Sequence, residues 1–397
     1  MAAEMVASDR PATRHVVLVG AGHAHVEVLR SFAASAPAGV RLTLITRARH
    51  TPYSGMLPGL IAGLYRFEET HIDTQPLASA AGANYVHAEV VGLDLSSRHV
   101  LCRDAAPVAY DILSFDIGST PNTEGSPGAS AHAIPVKPID GFLSRFEALI
   151  ERVRGRGRTS RIVVVGGGAA GVELMLSIER RLRAAMIQAG LGAEMLDFTL
   201  VSASADILPS FPDRFRSKFR RLLQRRGIRL MLNMSVTEVA PREVCIEGHP
   251  ALVADEVLWV TQAAAPRWLE ATGLPLSRHG FIEVDDTLRV PGEQDIFAVG
   301  DVAAFLPRSL SKSGVYAVRQ GPVLADNIRR LATGERLRGY APQRETLYLV
   351  STGERHAIGT RNGFVVEGDW VWRFKDWLDR RWMRRYQIID RRESPHR

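Results

Sequence analysis

Cysteine is nearly absent from these 397 residues: Cys102 and Cys245 stand far apart, each inside a strand-like run. That excludes a disulfide-stapled scaffold and any CxxC or CxxxxC redox pair, and leaves two reduced, buried thiols as the expectation. Long apolar runs are missing too. The longest candidate, Ile162–Val172, is short and glycine-rich, well below the about 18 residues that mark a membrane-crossing helix. The polar Met1–Arg14 lacks the apolar core of a signal peptide, so a cytoplasmic protein is expected. Lysine and arginine outnumber the acids 50 to 43, a net charge of +7, but no nucleic-acid-reading motif accompanies the basic stretches. Nucleic acid is therefore not an expected partner, whereas solvated helix faces or a membrane surface suit this charge. His23 and His25 invite a metal reading, yet residues two apart on a helix point away from each other, so no metal site is expected.

What the chain does contain is one pattern written twice. His15-Val-Val-Leu-Val-Gly-Ala-Gly22 reads as a buried strand ending in a tight turn, with a helix over His23–Ala34. A side chain at Gly22 would keep the backbone away from a pyrophosphate whose charge sits on the helix N-terminus; Gly20 makes the turn, and His25 replaces the third glycine of GxGxxG. His23, in the first helical turn, is placed near a phosphate or a flavin. The second copy, Arg161–Glu173, fills all three positions with Gly166, Gly168 and Gly171 and leads into a helix over Ala169–Gln188. Two dinucleotides on one chain point to electron transfer between them.

The acid that usually holds a ribose hydroxyl at the end of the next strand is missing from both copies, where Thr46 and Ser202 stand instead. The loss at Ser202 removes a repulsion against a 2′-phosphate and leans slightly towards NADPH. The loop Tyr53–Leu57, with Tyr53, Gly55 and Met56, suits a flat ring such as an isoalloxazine, and Gly118 closes a later strand with a turn. Asp295-Ile-Phe-Ala-Val-Gly-Asp301 is a strand running into Gly300 and Asp301, whose carboxylate can accept from a sugar alcohol. Asp140 is read as the N-cap of a helix to Arg154, Ile228–Val239 as a strand, and Leu347–Thr360 as a hairpin. In the tail, Trp370, Phe374, Trp377, Leu378 and Trp382 share one arc of a helix opposite Arg373, Asp376, Arg380 and Arg384. That arc can meet a membrane interface at the inner face of the cell membrane, a second copy in a homodimer, or the protein's own body.

The order of these motifs resembles the two-dinucleotide-binding-domain flavoproteins related to pyridine nucleotide-disulfide oxidoreductases, over nearly the whole chain. Gly20–His25, Pro52–Pro58, Phe115–Ser119 and Gly314–Pro322 are similar to the flavoprotein often fused to, or encoded beside, selenide, water dikinase, and type II NADH dehydrogenases are more distantly similar. The resemblance implies an α/β fold with two Rossmann-like domains. An FAD domain over 12–122 and 285–335 would be interrupted by an NAD(P)H domain over 123–284, followed by a C-terminal α+β segment over 336–397. It implies that Gly20, Gly22 and Asp301 bind FAD and that Gly166, Gly168 and Gly171 bind NAD(P)H. Glu173 would act near nicotinamide and flavin, and Gln320 beside a quinone site. The expected function is an NAD(P)H oxidoreductase passing electrons from FAD to a second acceptor, with a quinone the simplest. The alternative is an FAD-binding accessory protein of selenium metabolism.

Overall fold

A computed structural model describes residues 13–387 apart from 124, 262 and 344, so the expectations for the first residues and for the end of the tail lie outside the described residues. Parallel sheets organise the α/β fold. The first holds β1 (Arg14–Val19), β2 (Val40–Thr46), β3 (Asn84–His87) and β4 (Ile112–Phe115). The second holds β5 (Ile134–Pro135), β6 (Ser160–Val165), β7 (Leu196–Val201), β8 (Arg229–Met231) and β9 (Glu256–Trp259). β10 (Ile296–Ala298) then returns to the edge of the first, giving the orders β10-β4-β1-β2-β3 and β5-β9-β6-β7-β8. Each glycine-bearing strand is central, where the strand order reverses and a crevice opens at the C-terminal strand ends.

Strands covered on both faces must be apolar throughout rather than alternating. Val16–Val19 and Ile162–Val165 meet that demand, none more than 6% exposed. The registers of the two units match: Val19 pairs with Ile45 and Val165 with Val201, while the amides of Gly20 and Gly166 donate to Ile45 and Val201 at 2.8 Å each. Thr46 and Ser202 therefore lie beside their glycine turns at equivalent places.

The main helices are α1 (His23–Ala34), α2 (Ile139–Gly155), α3 (Ala169–Gln188), α4 (Asp213–Arg225), α5 (Gly314–Thr333) and α6 (Asp369–Met383). The cap of α2 is Pro138 rather than Asp140, which falls inside the first turn and pairs with Arg47 at 3.2 Å. The span 228–239 is two strands, Arg229–Met231 and Val236–Ala240, because Asn233 between them takes a left-handed φ of 56°. The late hairpin extends to a three-stranded sheet of β11 (Tyr348–Ser351), β12 (Ala357–Arg361) and β13 (Phe364–Gly368). Its second turn is Asn362-Gly363, both at positive φ, a strong hairpin signal.

The tail helix departs most from its wheel. Val371, Lys375, Asp379, Trp382 and Met383 of α6 are buried, while Trp370, Phe374 and Trp377 are exposed. Trp382 thus leaves the arc assigned to it and joins the core of the first unit with Met383 and Tyr386. A lysine and an aspartate one turn apart can be buried together because each neutralises the other.

Candidate functional site

In the first unit the chain leaves β1 through Gly20, whose φ is +87° and whose added Cβ would strike the Asp116 backbone carbonyl. A Cβ on Gly22 would run into the Asp116 carboxylate, and one on Gly300 would come within 2.6 Å of the same group. Three glycines thus surround one acid at the end of β4. Asp116 is fully enclosed and accepts from the amides of Ala24 at 2.8 Å and His25 at 3.0 Å, so it caps α1 from inside. Burial pushes its pKa up to about 7, against the pull of those two amides. His25 fills the space a third glycine would leave. Its Nδ1 lies 2.6 Å from the Gly20 carbonyl oxygen and its Nε2 2.8 Å from Ser114 Oγ on β4, tying turn, helix and strand together.

The second turn is built without such fillers. Gly166 has φ +130° and its Cβ would meet the Val260 carbonyl, while a Cβ on Gly171 would meet the Gly166 carbonyl oxygen. Nothing lies within 4 Å of the Cβ position of Gly168, which faces open space where a pyrophosphate would approach. Gly167 packs against Ser202, and the amide of Ser204 donates to Ser202 Oγ at 3.2 Å. On the first side Thr46 Oγ1 turns back to the Ala48 carbonyl at 3.0 Å.

Asp301 follows β10 and receives Lys137 Nζ at 2.6 Å and Ser119 Oγ at 3.3 Å. Gly118, with φ +71° and an open Cβ side, sits next to Ser119. The buried Gln320 of α5 accepts the Gly300 amide on Oε1 at 2.7 Å, so its amide group holds the Gly300–Asp301 turn. Lys312 donates to the Ala303 carbonyl at 2.6 Å and lies 3.7 Å over the Phe281 ring. Burial lowers its pKa to about 8. Gly300, Asp301, Lys312, Ser313, Tyr316 and Gln320 line one small cavity at the N-terminus of α5.

A second cluster joins the two units and the tail. Glu173, two residues past Gly171 on α3, is half-buried and accepts the Ser351 amide at 2.7 Å; loss of hydration raises its pKa to about 7, with Lys375 pulling the other way. Lys375 of α6 donates to the Gly55 carbonyl at 2.5 Å and to Asp379 at 2.7 Å. Burial opposes its charge, but Asp379 and Glu173 outweigh burial and hold its pKa above the ordinary lysine value. Burial and the bond to Asp379 likewise raise the Tyr53 phenol. Tyr53 stacks on Trp382 at 4.3 Å between centroids, and His23 lies 5.4 Å from both rings. His23 is neutral, its pKa lowered to about 4 by burial. Trp382 Nε1 is buried without a hydrogen-bond partner, and Met56 is fully buried beneath the same loop.

The structure therefore gathers His23, Tyr53, Gly55 and Glu173 with three tail residues, and Gly20, Gly22, Gly300, Asp301 and Gln320 around Asp116. Gly166, Gly168, Gly171 and Ser202 form a separate turn in the second unit. Sequence reasoning passed over Asp116, Lys137, Lys375 and Asp379. The signal for Lys375–Asp379 was their i,i+4 spacing on the same face as Val371 and Trp382. Cys102 and Cys245 are free and lie in different small sheets, so no disulfide serves this site.

The chain is 24% identical to the type II NADH:quinone oxidoreductase of Staphylococcus epidermidis over 379 residues, covering 91% of this chain and 90% of that one. It is 22% identical to an NADH dehydrogenase-like protein of Bacillus subtilis, over 90% and 93% of the two chains. Among solved structures, NDH2 from Plasmodium falciparum in complex with NADH has a TM-score of 0.77 at 15% identity, covering 92% of this chain and 97% of that one. The sulfide:quinone oxidoreductase of Aquifex aeolicus has a TM-score of 0.76 at 18% identity, covering 93% and 90%. Those two likenesses show the same fold. The model of the pyridine nucleotide-disulphide oxidoreductase family matches residues 14–321, and the chain belongs to that family of FAD- and NAD(P)H-dependent oxidoreductases.

Proposed function

We propose that this protein takes electrons from NAD(P)H and delivers them to a quinone. The observation that carries the reading is the Glu173–Lys375–Asp379–Tyr53 cluster, which α3 joins to the second glycine turn and the Lys375 bond to Gly55 joins to the first unit. Reducing a quinone to a quinol takes two protons with the two electrons. A carboxyl whose pKa burial sets at about 7 is matched to passing protons near neutrality. Because the Ser351 amide occupies Oε1 of Glu173, Oε2 is the atom left for the proton. Lys375, held charged by Asp379, supplies a compensating cation next to it.

The residues fit FAD. Gly20, Gly22 and Gly300 bring the backbone close around Asp116 at the α1 N-terminus, Gly118 leaves an open side next to Ser119, and Asp301 stands at a strand end beside a small cavity. FAD, when bound, accepts a hydride from a reduced nicotinamide and releases the electrons to the acceptor. The protein's part is positioning and exclusion of water: Gln320 fixes Gly300, Lys137 orients Asp301, and Trp382 covers His23 and Tyr53. The paired cysteines of a disulfide acceptor are lacking.

Peripheral membrane contact belongs to the same reading. Phe364 is 78% exposed at the tip of the late sheet, and Trp370, Phe374 and Trp377 are 59%, 41% and 47% exposed with Arg373, Arg381 and Arg384 around them. Among the described residues no helix is long and apolar enough to cross a membrane. An aromatic and arginine face of this kind suits the interface of an anionic bilayer, where a quinone is dissolved.

The test is anaerobic mixing of the purified yellow protein with NADH or NADPH, followed by a water-soluble quinone. Bleaching and then return of the flavin absorbance are expected. Bound FAD that neither nicotinamide bleaches would replace this reading with the accessory role beside a selenide, water dikinase. Liposomes with anionic lipid should retain the protein and lose it when Trp370 and Trp377 are changed to serine.

A further inference from the structure

A reduced nicotinamide comes in two forms, with and without a 2′-phosphate, and the loop after β7 bears on which of them binds. At the strand end that faces the dinucleotide's ribose, Ser202 stands with its side chain packed on Gly167. A carboxylate there would accept from the ribose 2′-hydroxyl and repel a 2′-phosphate. Ser202 does neither. The chain then runs through Ser204 and Asp206 and is pinned back onto the turn by the Leu208 amide, 2.7 Å from the Gly167 carbonyl.

No arginine occurs in residues 203–210, so the sequence around Ser202 carries no cation. Helix α4 supplies two. Arg216 lies 3.3 Å and Arg220 3.6 Å from opposite oxygens of Asp206, which brings both guanidiniums to the loop that follows Ser202. Their spacing of four puts them on one face of the helix. Asp206 is 13% exposed and is one acid against two arginines; the other carboxylate within reach, Asp213, is 70% exposed and screened by solvent. Both arginines also reach Asp213, at 3.4 and 3.3 Å, so the group sets two cations against two acids, and the exposed Asp213 is the partner that a ligand phosphate can replace. Arg216 Nε is buried without a hydrogen-bond partner, and both side chains keep surface, 27% and 37% exposed, from which to meet a ligand.

We infer that Arg216 and Arg220, with the hydroxyls of Ser202 and Ser204, recognise the 2′-phosphate of the adenosine ribose, so that NADPH is the preferred electron donor. The inference rests on the second unit being the nicotinamide site. Guanidinium pairs are well matched to phosphate, presenting parallel N–H donors to its oxygens. A cation delivered by the helix rather than by the strand end does the task that the local sequence leaves undone.

The probes are 2′,5′-ADP and 5′-AMP, which differ only in the 2′-phosphate, titrated calorimetrically into the FAD-loaded protein. The expected result is at least about tenfold tighter binding of 2′,5′-ADP, the scale of one charge-assisted contact. The R216A/R220A double variant should bring the two affinities together, and S202E should reverse their order. In stopped flow the ratio of kcat/KM for NADPH over NADH should fall in both variants. Equal affinities in the parent protein, or a preference that survives R216A/R220A with the unfolding temperature retained, overturns the inference while leaving the nicotinamide reading standing. Binding of neither probe overturns both.

Discussion

The two glycine turns occupy the same place in their sheets, with the same strand register and the same amide bond to the neighbouring strand, and differ in what lies against them. Around Gly20 and Gly22 the space is filled by Asp116 and His25, both fully enclosed and both hydrogen-bonded to the helix or the turn. Around Gly168 it is open. A turn that must keep one tightly held cofactor benefits from fixed packing, because whatever is ordered beforehand need not be ordered on binding. A turn that must admit and release a substrate on each cycle benefits from clearance. The difference matches a resident FAD on one side and an exchanging nicotinamide on the other.

Three changes put this contrast at risk, beginning with the largest. In the second turn a Cβ at position 171 meets backbone, which cannot move aside, so Gly171→Val should slow bleaching by NADPH or NADH at least about a hundredfold while the protein stays yellow. Loss of the yellow colour along with the rate would show that the turns are not independent. In the first turn His25→Gly restores the missing glycine of the motif yet removes a strut with two hydrogen bonds. A cost of about 2–4 kcal/mol in thermal unfolding is expected, whereas a neutral result would mean that His25 is mere filler.

The third change is read against pH. Asp116 has its folded pKa raised to about 7 from an ordinary aspartate's 3.8, chiefly by burial. Between those two values the folded protein holds a proton that the unfolded chain has released, so the stability this group contributes is complete below about pH 4 and is lost as pH rises towards 7. Above that the contribution is flat. Asp116→Asn, which keeps an oxygen for the Ala24 and His25 amides, should remove this slope, roughly 2 kcal/mol between pH 5 and 7, in paired unfolding curves. Identical slopes in the two proteins would place Asp116 ionised in the first turn and erase its difference from an ordinary cap.

Much of the frame was legible because it depends on period and glycine placement alone. The bounds Ala169–Gln188 of α3 follow from a glycine turn at one end and loss of apolar periodicity at the other. The first turn was less legible: Phe115–Ser119 carried a family likeness, but nothing local tells that Asp116 turns inward beneath Gly22. The tail misled for a different reason. A helical wheel sends every charge to solvent, and the Lys375–Asp379 pair violates that rule because the two ions satisfy each other and the Gly55 carbonyl. The arginines of α4 escaped notice because sequence distance from Ser202 hid their spatial approach to Asp206.

The bond from Lys375 to Gly55, together with those of Arg385 and Tyr386 to Glu27 on α1, ties the tail back onto the earliest part of the fold. During synthesis both glycine turns emerge from the ribosome and can fold before α6 exists. The emerging chain therefore passes through a stage in which His23 and Tyr53 face water and Glu173 has no neighbouring cation. The Trp382 cover over His23 and Tyr53, and the Lys375 cation near Glu173, arrive only when translation reaches the tail helix, so the order of synthesis places this cluster last.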